Sequence, residues 1–101
     1  MIDILDSARH LLQIDDSLTN HEDCRNVTIK LQKKLREEFP SEQINIIAYP
    51  EAKEGYGAHY ALETEDDIIN PIPAPGIPQY IGSKSNAYPI FSLFKKVDTV
   101  K

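Results

Sequence analysis

"HYALETEDDIIN", residues 59–70, decides the fold. Two short apolar runs flank the acidic stretch Glu63-Thr64-Glu65-Asp66-Asp67, the pattern of a β-hairpin. With Glu65 and Asp66 as a two-residue turn, Thr64 opposes Asp67 and Ala61 opposes Asn70. Strand side chains alternate faces, so His59, Ala61 and Asn70 share one face. Tyr60, Leu62 and Asp67 take the other. A four-residue turn sets Asn70 directly opposite His59 and keeps the shared face. An odd-length loop or a bulge would break the relation.

Upstream, "INIIAYP" (44–50) is rich in isoleucine, stops at proline and reads as another strand. "EAKEG" is a charged loop leading into the strand "YGAHYALE" (56–63). Downstream, Pro71, Pro73, Pro75 and Pro78 rule out helix and central strand over 71–86. That stretch should run extended over the surface or along a sheet edge. The tail "AYPIFSLFKKVDTV" (87–100) carries Ile90, Phe91, Leu93, Phe94 and Val97. It must dock on the core as a short helix or a strand; its pattern fits both.

The first forty residues read as helical. Ile2, Leu5, Ala8 and Leu12 recur at three- and four-residue spacings, predicting a short amphipathic helix over 2–13. Asp15, Asp16 and Ser17 form a loop, and Thr19-x-x-Glu22 is a capping-box pattern. Cys24, Val27, Leu31, Leu35 and Phe39 make one helical stripe, ended by Pro40. Helix, helix, then strands predicts an α+β fold, with N-terminal helices packed on a small antiparallel sheet. The chain has 101 residues, the size of a single domain spanning 1–101.

Composition narrows the function. The net charge of −5 argues against a nucleic-acid backbone as partner. Lys30, Lys33, Lys34 and Arg36 are followed at once by Glu37 and Glu38, which fits a solvated helix face. The start "MIDILDSARHLL" is acidic and unlike a signal peptide, and no apolar run is long enough to span a bilayer. A soluble protein is expected, cytoplasmic or carried by a larger secreted chain. With Cys24 as the single cysteine, no internal disulfide can form.

Three residues carry the chemistry. Cys24 lies near the start of the second predicted helix, where backbone N–H groups and the helix dipole favour a thiolate. The plainer reading is a small apolar residue on the core stripe. His59 sits inside an apolar strand between small neighbours on its own face, Gly57 and Ala61, which leave room for a helix end. Its plainer reading is a histidine satisfied by a backbone carbonyl. Asn70 on the shared face shifts the balance, because it can orient the imidazole. A thiol, an imidazole and an orienting amide form the set that nucleophilic thiol catalysis needs. The Cys24 backbone N–H is a natural oxyanion donor, with a side chain of Asn20 or His21 as the second. Asn20 also fits a helix-capping role.

This order of residues resembles the papain-like and transglutaminase-like superfamily. More narrowly it resembles the small papain-fold toxin domains at the C-termini of bacterial polymorphic toxins. "DCRNVTIKLQKKL" matches the cysteine helix, "GAHYALETEDDIIN" the histidine hairpin, and "PGIPQY" (75–80) a Gly-Ile-Pro segment that follows in those domains. The resemblance covers residues 20 to 80 and implies a papain-like minimal core with a Cys24–His59–Asn70 triad. It implies a thiol-dependent hydrolase, glutamine deamidase or transglutaminase-like enzyme of the bacterial toxin or effector kind, acting on a protein and needing no cofactor. A cognate immunity protein is an implied partner. No tryptophan follows Cys24, unlike classical papains, and the chain is far shorter than a papain protease, leaving little room for a cleft with several subsites.

Two rivals stand beside this reading. A metal site from His21-x-x-Cys24 with His59 lacks the second spaced pair that zinc usually needs. A non-catalytic protein-binding module, a degenerate member of the same fold serving as an immunity or adaptor protein, would also be small and acidic. His10, one turn after Asp6, reads as surface.

Overall fold

The structure, a computed structural model, describes residues 3–19, 24–49 and 58–97. Two α-helices, α1 (Ile4–Ile14) and α2 (Cys24–Glu38), precede five strands: β1 (Asn45–Tyr49), β2 (His59–Glu63), β3 (Asp67–Asn70), β4 (Tyr80–Ser83) and β5 (Lys95–Lys96). The strands form one antiparallel sheet in the order β4-β3-β2-β1-β5. The α+β expectation therefore holds.

Local chemistry accounts for the helices. Asp3 caps α1 by accepting a hydrogen bond from the Asp6 N–H at 2.9 Å. Val27, Leu31 and Leu35 of the α2 stripe are buried, with Cys24 and Phe39 packed at its two ends. A short 3-10 helix (Asp16–Thr19) follows α1, where the sequence suggested a plain loop. Its anchor is Asp15, which pairs with Lys30 at 3.5 Å and Lys34 at 3.9 Å. Part of the basic run thus ties α2 to the preceding turn.

The sheet has two apolar faces. On one, Ile46, Leu62 and Ile69 meet Val27, Leu31 and Leu35 of α2 together with Ile4 and Ala8 of α1. On the other, Ile47, Ala61 and Ile68 meet Ile77, Phe91 and Phe94. Burying one Leu, Ile or Phe side chain contributes about 1.5–3 kcal/mol, so both layers matter to stability. The proline-rich stretch and the tail supply the second layer, which no α-helix covers among the described residues.

The hairpin has the short turn. The Thr64 N–H donates to the Asp67 carbonyl at 3.0 Å, Leu62 opposes Ile69 and Glu63 opposes Ile68. Continuing that register sets Ala61 opposite Asn70. The proline-rich stretch then leaves the sheet, turns, and returns as the edge strand β4. Its turn is Ala74-Pro75-Gly76-Ile77, closed by backbone hydrogen bonds of 2.8 and 2.9 Å between Ala74 and Ile77. Gly76 has φ +77°, the left-handed value a type II turn needs after proline. Arg9 covers the β4 edge by donating to the Ile81 carbonyl at 2.8 Å. The tail takes both forms that its pattern allowed: a 3-10 helix (Pro89–Leu93), then the two-residue strand β5 against β1.

Candidate functional site

His59 is fully buried at the start of β2, and Asn70 is fully buried at the end of β3. The His59 Nε2 lies 2.8 Å from the Asn70 Oδ1. The Asn70 Nδ2 donates to the Pro78 carbonyl at 2.8 Å. That second bond fixes the chemistry of the first. A carbonyl only accepts, so the amide nitrogen must face Pro78 and the amide oxygen must face the ring. Nε2 therefore carries the proton, and Nδ1 of the neutral ring is a bare lone pair. Nδ1 is buried and has no hydrogen-bond partner, alone in this among the buried side-chain nitrogens and oxygens of the described residues. Leaving a buried acceptor unpaired costs about 1–3 kcal/mol, so such an atom calls for an explanation.

Burial, the largest influence, holds the His59 pKa below its usual 6.5. The Asn70 hydrogen bond and the Ile72 backbone, which lies near the ring but outside hydrogen-bond geometry, pull the other way and are outweighed. The ring is thus a neutral base at physiological pH. The space over Ala61, which the sequence left open for a helix end, holds Phe94 from the tail. Its ring stands edge-on to the imidazole, with centroids 6.2 Å apart and planes at 87°.

Cys24 is half-buried at the first described residue of α2. Its apolar packing is on the helix-covered face of the sheet, whereas the His59 ring lies edge-on to Phe94 on the other face. The Cys24 Sγ lies 3.9 Å from the carbonyl oxygen of Ala58, the residue just before His59. Among the described residues no hydrogen bond joins the thiol to the imidazole. The structure therefore brings His59 and Asn70 into contact, and brings the thiol to the backbone beside them.

Two prolines explain why that backbone is open. Hydrogen-bonded pairs alternate along an antiparallel ladder. Counting back from the bonded pair Thr64 and Asp67, Tyr60 would pair with position 71 and Ala58 with position 73. Both are prolines and lack the N–H that a ladder requires. The carbonyls of Tyr60 and Ala58 face α2 instead. Thr28 Oγ1 donates to the Tyr60 carbonyl at 3.3 Å, and the Cys24 thiol reaches the Ala58 carbonyl. Thr28 is 1% exposed and was not singled out from sequence. The available signal was the Pro-x-Pro spacing opposite the histidine strand, together with a hydroxyl one helical turn after the cysteine.

Asn20 and His21, the side chains considered for an oxyanion hole and a metal site, lie outside the described residues, as do Gly57 and Glu22 of the capping box. Among the described residues no group of three His, Cys, Asp or Glu side chains is placed to hold a metal ion. No helix among them is long and apolar enough to cross a membrane. His10 is exposed. Asp67 pairs with Thr64 on the face away from His59. Compared with known protein families, curated proteins and solved structures, the chain matches none.

Proposed function

We propose that the protein is a papain-like cysteine enzyme that transfers acyl groups through a thioester on Cys24. One observation carries the reading: the buried His59 has one nitrogen fixed by Asn70 and the other bare and unpaired. A general base must keep one lone pair free.

In this reading, Cys24 gives its proton to His59 Nδ1, which requires the start of α2 and the residues that bury the ring to shift, because the thiol packs on the helix face of the sheet and the ring on the Phe94 face. The thiolate attacks the carbonyl carbon of an amide. The Cys24 backbone N–H stabilises the oxyanion that forms. The imidazolium then returns the proton to the departing amine, leaving a thioester. Water or a second amine attacks the thioester, His59 again taking and returning the proton. Amide hydrolysis, glutamine deamidation and transfer to an amine share these steps. A protein substrate, a bacterial toxin or effector setting and a cognate immunity protein follow from the resemblance of the cysteine helix and histidine hairpin to papain-fold toxin domains.

A second reading has its own support. The thiol contact with Ala58 gives Cys24 a structural task, closing a ladder that prolines interrupt. A non-catalytic binding module of the same fold would keep that contact. Alkylation separates the two. The enzyme reading expects Cys24 to react with iodoacetamide at neutral pH far faster than a free thiol, and His59→Ala to abolish the excess. Cys24→Ala should leave the fold nearly intact, at a cost of about 1 kcal/mol, while removing all thiol-dependent activity. Ordinary reactivity in the unaltered protein would leave the binding module as the answer.

A further inference from the structure

We propose that Thr28 is the positioning residue of the Cys24 thiol, acting through the Tyr60 carbonyl that Pro71 leaves without a ladder donor. The proposal rests on the acyl-transfer reading. Cys24 and Thr28 are four residues apart on α2, a rise of about 6 Å. The carbonyls of Ala58, just ahead of β2, and Tyr60, within it, are two residues apart along extended chain, about 6.6 Å. The two spacings match, so the helix start and the strand run side by side with both side chains aimed at consecutive open carbonyls. Fixing one contact fixes the other.

The two contacts differ in strength. The thiol is a weak donor at 3.9 Å and cannot by itself hold the helix in register. The Thr28 hydroxyl, at 3.3 Å, is the stronger donor of the two and lies in a site almost closed to water. It therefore sets how far along β2 the sulfur comes to rest, one residue before the unpaired Nδ1 of His59. A slip of a single helical residue would move the sulfur by about 1.5 Å. Displacements near 1 Å can lower catalytic rates by about a hundredfold. Pro71 belongs to the same device. With an N–H at position 71, the Tyr60 carbonyl would be taken by β3 and Thr28 would lose its anchor.

The test is the rate of Cys24 alkylation by iodoacetamide at neutral pH in the full chain, with folding followed by circular dichroism. The unaltered protein should react far faster than a free thiol. Thr28→Val, which keeps the shape and removes the donor, should slow alkylation about tenfold. Thr28→Ser should restore the rate. A folded Thr28→Val protein with an unchanged rate would overturn the positioning role and leave the acyl-transfer reading standing. An ordinary thiol rate in the unaltered protein would overturn both. Should Thr28→Val fail to fold, Pro71→Ala provides the same test, because its new amide competes for the Tyr60 carbonyl. The same slowing is expected there, and an unchanged rate refutes the role.

Discussion

Removing the Asn70 side chain tests the central claim about His59. Asn70→Ala takes away two buried hydrogen bonds, each 2.8 Å long. It leaves the His59 Nε2–H and the Pro78 carbonyl without partners in a site closed to water. Each orphan costs about 1–3 kcal/mol, giving a loss of about 2–6 kcal/mol. A chain of 101 residues has a total stability of about 5–15 kcal/mol, so the variant should fold but melt early. In urea the midpoint should fall by about 1–3 M. Turnover should fall about ten- to a thousandfold, less than on removing Cys24 or His59, because orientation contributes less than the nucleophile or the base. Asn70→Asp separates the two jobs of the amide. It can still accept from Nε2–H, so it should retain more activity than Asn70→Ala. It also sets a carboxylate oxygen against the Pro78 carbonyl, so it should recover little stability and should raise the His59 pKa through its charge. Urea unfolding measures the stability, and nitrogen NMR of the imidazole reads the tautomer directly. A stability for Asn70→Ala within about 0.5 kcal/mol of the unaltered protein would refute the reasoning. So would a ring spectrum with the proton on Nδ1.

Three further outcomes follow from the same geometry. Burial lowers the His59 pKa below 6.5, so the unfolded chain takes up a proton that the folded chain refuses. Its contribution to stability should be complete above pH 6.5 and decline as the pH falls from there toward the folded value; urea melts of the unaltered protein and His59→Gln across that range should differ in slope. Asp67 has the opposite sign: burial, then the charges of Asp66, Asp3 and Glu42, raise its pKa above 3.8, so its ionised form opposes folding. Asp67→Asn should therefore stabilise the protein at pH 7, lose that advantage in acid, and leave Cys24 alkylation unchanged. Gly76→Ala places a Cβ at φ +77° and should cost about 1 kcal/mol, read as a lowered melting temperature with an unaltered alkylation profile.

Much of the fold lies in local pattern, and local pattern is what a sequence displays. The acidic turn at Glu65-Asp66 sets the hairpin register, and the register alone puts His59 and Asn70 on one face. The 3.6-residue stripe from Cys24 to Phe39 fixes which side of α2 meets the sheet. Pro71 and Pro73 end β3, because their missing N–H groups are a covalent property. The tail was ambiguous because Phe91, Leu93 and Phe94 satisfy either period, and only the aromatic layer on the second face chose a 3-10 turn followed by β5. The surroundings of the candidate site were likewise beyond the sequence. Thr28 meets Tyr60 across 32 positions and Cys24 meets Ala58 across 34. No periodicity links such distant residues. Their meeting depends on how far α2 slides along β2 before its side chains find the two open carbonyls. The bare Nδ1 has the same origin, since it exists only because Pro78, folded back from the far arm of the proline turn, holds the Asn70 amide the right way round.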